Sequence, residues 1–132
     1  MTIEEVRAVA GDAALPAGAA TECTYLRPAG APRGVSVMLA GGRVVRVDVD
    51  SAGVQADGGV AVGDSASRVE TAYRGRASTM PHKYVPGGQY LTVKPTSPAD
   101  STLRIVFEAE AGRITRFRSG RVPDVEFVER CG

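Results

Sequence analysis

Few residues in this chain have the capacity to do chemistry, and each can be weighed by its neighbours. His82 is the single histidine and lies in Met80-Pro81-His82-Lys83-Tyr84. A catalytic histidine needs a nucleophile or an orienting carboxylate, and no motif of that kind surrounds it. A loop histidine that hydrogen-bonds locally is the simpler expectation. Cys23 and Cys131 form no Cys-x-x-Cys pair and have no His or Cys nearby at ligand spacing, so neither a metal nor a cofactor is implied. Gly41-Gly42 and Gly87-Gly88 lie between alternating stretches and are not followed by a helix start, which makes them turn glycines rather than phosphate loops. With no nucleophile–base pair and no ligand set, the chain is expected not to be an enzyme.

Binding residues are easier to nominate. Arg46, Arg116 and Arg118 share one side of two alternating stretches with Arg104 and Glu108, flanked by Met38 and Val106. One account is a solvated face laced with cross-strand ion pairs. The other is an exposed basic patch that receives an acidic partner. Tyr84 and Tyr90 lie near loops, where tyrosine often anchors interfaces. The candidate binding set is therefore Arg46, Arg116, Arg118, Met38, Tyr84 and Tyr90.

The cysteines also allow two accounts: two unrelated buried thiols, or a Cys23–Cys131 disulfide tying the C-terminal tail to the first strand. A cysteine followed only by Gly132 has little core to pack in, which favours the bridge. Closing so long a loop is worth up to ~4–5 kcal/mol in the chain-entropy model. A bridge implies an oxidising compartment.

These residues need elements to position them, and alternation supplies most. In Leu103–Gly120 (LRIVFEAEAGRITRFRSG) both arms alternate around a short Gly-containing loop, which predicts a β-hairpin. Val35–Asp50 (VSVMLAGGRVVRVDVD) has the same design: a shift of seventy positions puts Val35 on Ile105, Val37 on Phe107, Gly42 on Gly112 and Val44 on Ile114. A three-residue loop Ala40-Gly41-Gly42 is expected to pair Leu39 with Arg43, Val37 with Val45 and Val35 with Val47. That gives an apolar face (Val35, Val37, Val45, Val47, Val49) and a polar one (Ser36, Met38, Arg46, Asp48). Strands are also expected at 22–27 and 89–94, an extended arm at 76–84, and a last strand or extended tail at 122–130. Thr2-x-x-Glu5 is a capping box that predicts a helix at 2–10. Asp64-Ser65 caps a second helix at 65–73, with Val69, Ala72 and Tyr73 inward. The order helix, strand, hairpin thus occurs twice. The expected fold class is α+β, two tandem units (1–58 and 59–132), each a short helix packed on an antiparallel sheet.

The bulk properties set outer limits. A chain of 132 residues is the size of one domain or two small repeats. Its apolar fraction of 43% argues against disorder, and its 16 Gly and 8 Pro suit a turn-rich β chain. A net charge of +1 with mixed signs argues against a nucleic-acid partner. No stretch approaches the ~20 apolar residues of a membrane span. The first residues carry acids where a signal peptide would be basic. Either the protein stays in the cytosol, or Met1 stands where an export signal or lipid anchor has been removed.

Thr2–Val6, Val62-Gly63-Asp64-Ser65 with Val69, and the two hairpins with Gly-Arg-Val and Gly-Arg-Ile resemble the tandem β-lactamase-inhibitor-protein fold. They also resemble its single-unit relative in BamE-type (SmpA/OmlA) outer-membrane lipoproteins. The stretches Pro81-His82-Lys83-Tyr84 and Gly87-Gly88-Gln89-Tyr90-Leu91 resemble segments of exported bacterial proteins. The resemblance implies a periplasmic or secreted protein that binds another protein through an exposed sheet face, as an inhibitor, immunity or envelope-accessory factor. The alternative is a small-ligand-binding protein with a groove between two sheets, lined by Tyr84, Tyr90 and Arg116.

Overall fold

The computed structural model describes residues 23–27, 30, 32–40 and 43–128. Among these residues the strands are β1 (Thr24–Leu26), β2 (Val35–Ala40), β3 (Arg43–Val49), β4 (Ala77–Pro81), β5 (Gln89–Val93), β6 (Leu103–Glu110) and β7 (Arg113–Arg121), with one α-helix, α1 (Ala66–Ala72), between β3 and β4. All seven strands join one antiparallel sheet in the order β1-β2-β3-β7-β6-β5-β4. The expectation of two units, each with its own helix on its own sheet, is thereby corrected. The two meanders fuse through their last strands, β3 against β7, because each leaves a β-branched and aromatic edge that the other can pair. The predicted helix at 2–10 and residue Cys131 lie outside the described residues.

The two hairpins correspond in register. Both hairpins carry a register shift at the same place, between Met38 and Leu39 in one and between Glu108 and Ala109 in the other. In each, one extra residue, Val45 or Thr115, is accommodated on the returning strand. The expected pairing of the first hairpin is corrected accordingly: Val35 pairs with Val49, Val37 with Val47, and Leu39 with Val44 rather than Arg43. The bulge sets an apolar residue, Val44, opposite Leu39. In the second hairpin Ala111 and Gly112 both have positive φ, 51° and 77°, as a type I′ turn requires.

One face of the sheet is the main core. Val49, Phe117, Phe107 and Leu91 face one another along a cross-strand row, and Val69 and Tyr73 of the helical segment pack on them. Val60, fully buried, brings the 54–62 segment over the same cluster. The approach to α1 is fastened by backbone bonds to the second hairpin: Gly63 N–H to Ile114 O, Ile114 N–H to Asp64 O, and Ala66 N–H to Gly112 O. A helix of seven residues is too short to persist alone, so its place depends on burying Val69 and on these ties.

Candidate functional site

The other face carries the nominated residues, and the pairing orders them in rows. One row reads Met80-Tyr90-Glu108-Arg116 from β4 to β7. The next reads Thr92-Val106-Arg118-Asp48-Ser36, and a third Arg104-Gly120-Arg46-Met38-Tyr25. Alternation therefore brought Arg46, Arg118, Met38 and Arg116 to one face, and Tyr90, expected only near the loops, shares it.

The middle of this face is not open, which corrects the premise of an exposed sheet surface there. Arg46 is 2% exposed, Arg118 3%, Met38 1% and Tyr90 7%. The cover is the chain after β7. Instead of a last strand, residues 122–128 turn at the cis Val122–Pro123 bond and form a single 3₁₀ turn at Asp124–Glu126. Proline has no N–H for a ladder, so the strand ends there and the chain can fold back. Val125, fully buried, packs on Tyr90 and Val106 with Val122 and Val128 at its sides. A 3₁₀ turn this short leaves carbonyls unpaired. Arg46 donates from Nη1 to Asp124 O (2.9 Å) and Phe127 O (2.7 Å), and Arg118 donates from Nε to Val125 O.

Beneath this cover runs a buried ionic network. Arg46 binds Asp48 through two parallel bonds of 2.8 Å, from Nε to Oδ1 and from Nη2 to Oδ2. Tyr25 Oη donates to Asp48 Oδ1 at 3.2 Å. Arg118 Nη1 donates to Glu108 Oε2, and His82 Nε2 lies 2.7 Å from Glu108 Oε1. His82 Nδ1 accepts the backbone N–H groups of Tyr84 (3.0 Å) and Val85 (3.1 Å), so it carries no proton and the Nε2–H is the donor to Glu108. Tyr90 stacks on the imidazole at 4.4 Å between centroids, and its hydroxyl accepts from Lys83 N–H. Two guanidiniums thus face two carboxylates, with a neutral histidine completing the set. Burial pushes the Arg118 guanidinium below its ordinary value, with Glu108 opposing that shift and Arg46 adding to it.

Such an arrangement is suited to holding the tail on the sheet, because its donors and acceptors are spent on one another and on the carbonyls of 124–127. His82 does hydrogen-bond locally, but its bond to Glu108 crosses from the loop after β4 to β6. The role of Glu108 as the hub between His82 and Arg118 was not foreseen. The signal was present as Val122, Val125 and Val128, three apolar residues at a spacing of three that no solvent-exposed strand would need. Tyr84, 56% exposed, and Arg116 remain accessible. Among the described residues the strands form one sheet, so the ligand groove expected between two sheets from Tyr84, Tyr90 and Arg116 does not form there. Cys23 is exposed and is not a free thiol. Among the described residues no helix is long and apolar enough to cross a membrane, and no three His, Cys, Asp or Glu residues gather as a metal site.

In comparison with known proteins, the chain matches no family model, no curated protein and no solved structure.

Proposed function

We propose that the protein is an exported, non-enzymatic protein-binding module, of inhibitor, immunity or envelope-accessory type, that engages its partner along the β4 end of the sheet. The observation that carries this reading is the exposure of Met80 (57%) and Tyr84 (56%) on and just after the terminal strand β4. Among the described residues β4 is paired on one side only, by β5, so its outer edge offers backbone groups to an incoming strand. Lys83 lies over the Tyr84 ring at 5.2 Å, and Arg116 ends the row that begins with Met80. A partner with an apolar, acid-flanked segment fits this chemistry. The resemblance of Thr2–Val6, Val62–Ser65 and the two hairpins to the β-lactamase-inhibitor-protein and BamE-type families supports the class of function, and a Cys23–Cys131 bridge would support export.

The test is differential capture from envelope and culture-fluid fractions of the source organism. Wild-type protein and the Tyr84→Glu and Arg116→Glu variants are immobilised side by side after circular dichroism shows equal folding. A protein retained by the wild type and lost by both variants supports the reading. Identical captures by all three refute it.

A further inference from the structure

We propose that the opposite face of the molecule carries a binding site for a small carboxylate with an apolar body, anchored by Arg76 and Tyr73. A cavity of about 230 Å³ opens where the end of α1 meets the start of β6. Val93, Leu103 and Ile105 form its apolar wall, and Asp57, Tyr73, Arg76 and Arg104 are among its other lining residues. It falls below the roughly 300–1,000 Å³ of sites for drug-sized molecules, which restricts the occupant to a small one.

Two independent observations point to a ligand with an anionic end. First, Tyr73 is 3% exposed, yet its hydroxyl has no hydrogen-bond partner among the described residues. A buried hydroxyl without a partner is costly, and native proteins rarely leave one so. A Cβ on Gly58 would stand 2.9 Å from this hydroxyl, and Tyr73 itself lines the cavity beside Asp57 and Arg76. Second, Arg76 is held in place for an anion. Its Cζ sits 5.4 Å from the centroid of the Tyr73 ring, and its Nη1 donates to Lys94 O at 3.3 Å. One guanidinium nitrogen is thereby used, and the remaining donors stay available for a carboxylate. Lys94 and Arg104 also line the cavity against the single acid Asp57, so its lining is net positive. The wall of Val93, Leu103 and Ile105 takes the hydrocarbon part, a demand that inorganic phosphate cannot meet.

The experiment is thermal unfolding of the whole protein with sodium octanoate, against sodium phosphate at matched ionic strength. It is repeated on Arg76→Gln and Tyr73→Phe. Octanoate is expected to raise Tm in a saturable way, as a ligand of the folded state does. Phosphate is expected to leave Tm unchanged, and each variant to weaken octanoate binding about tenfold or more. Chemical-shift changes should centre on Val93 and Ile105. An octanoate shift that Arg76→Gln retains in full overturns the proposal. So does the absence of any shift, or an equal shift with phosphate. The cavity residues Arg76 and Val93 lie at the start of β4 and Met80 and Tyr84 at and beyond its end, so the two readings rest on different residues and loss of one leaves the other standing.

Discussion

Replacing Glu108 with leucine tests whether the buried network governs the closure of the polar face. Glu108 is 6% exposed and serves both Arg118 and His82. Without it, Arg118, 3% exposed, retains the Val125 carbonyl but loses its bonded carboxylate, Asp48 opposite it being already bound by Arg46, and the His82 Nε2–H loses its acceptor. Removing one partner of a buried pair typically costs about 3–5 kcal/mol, because a charge is left unpaired in a medium that cannot solvate it. Against the 5–15 kcal/mol of a typical domain, that is a large share. The Glu108→Leu/Arg118→Met double variant removes both charges together and leaves only the histidine donor and the Val125 carbonyl unsatisfied. It is expected to lose about 2 kcal/mol, less than either single variant. The chain has no tryptophan, so urea unfolding is followed by far-ultraviolet circular dichroism, with the m-value checked for constancy. A Glu108→Leu cost under about 1 kcal/mol would refute the reasoning, as would strict additivity in the cycle.

Three further outcomes follow from other parts of the structure. Gly120→Ala should destabilise by about 1–3 kcal/mol in the same urea assay, because its Cβ would lie 2.4 Å from both Arg46 Cβ and Val45 O and would force β7 from β3. Tyr73→Phe should leave the unliganded protein equally stable or more so, by up to about 1 kcal/mol. Burial, then Asp57, raises the Tyr73 phenol above its ordinary 10.0. Below that pH both states keep the proton; above it the unfolded chain releases the proton first, so wild-type stability should fall with rising pH. The phenylalanine variant should lack that part of the decline, and equal alkaline slopes would count against the assignment. Intact mass after alkylation, with and without reduction, should show Cys23 and Cys131 protected until reduced; free labelling of both in folded protein would remove the bridge and the argument for export.

Period-two alternation made the strands legible, since a residue's side of a sheet is local information. It placed Arg46 with Asp48, and Glu108 with Arg118, on one face. It could not show that the face is closed, because the cover is residues 122–128, and Arg46 meets Phe127 O across 81 positions of chain. The tail's valines only make sense once a surface for them exists. The helical segment 65–73 was legible from Val69 and the Asp64-Ser65 start, and the structure narrows it to Ala66–Ala72, with Ser65 at the N-cap position but making no side-chain capping bond. The fusion of two meanders into one sheet was not legible, because either edge of each meander could have paired.

The seam between the meanders shows why the repeat is exact in register but not in residue type. A shift of seventy carries Asp48 onto Arg118, and the β3–β7 pairing sets these two residues directly opposite each other. The pseudo-two-fold axis of the sheet therefore passes through this pair. Identical copies would place two like charges face to face at the buried centre, which neither solvent nor salt could relieve. The copies have to differ where they meet, and they differ in sign of charge. Position 38 and its equivalent 108 differ as well: Met38 in one copy is apolar, while Glu108 in the other supplies the counter-charge for Arg118. Tyr25 and Tyr90, which occupy the same place opposite Met38 and Glu108, have in turn diverged, one bonding Asp48 and the other stacking on His82. Sequence matching finds the positions where the copies agree, whereas the network is built from the positions where they cannot.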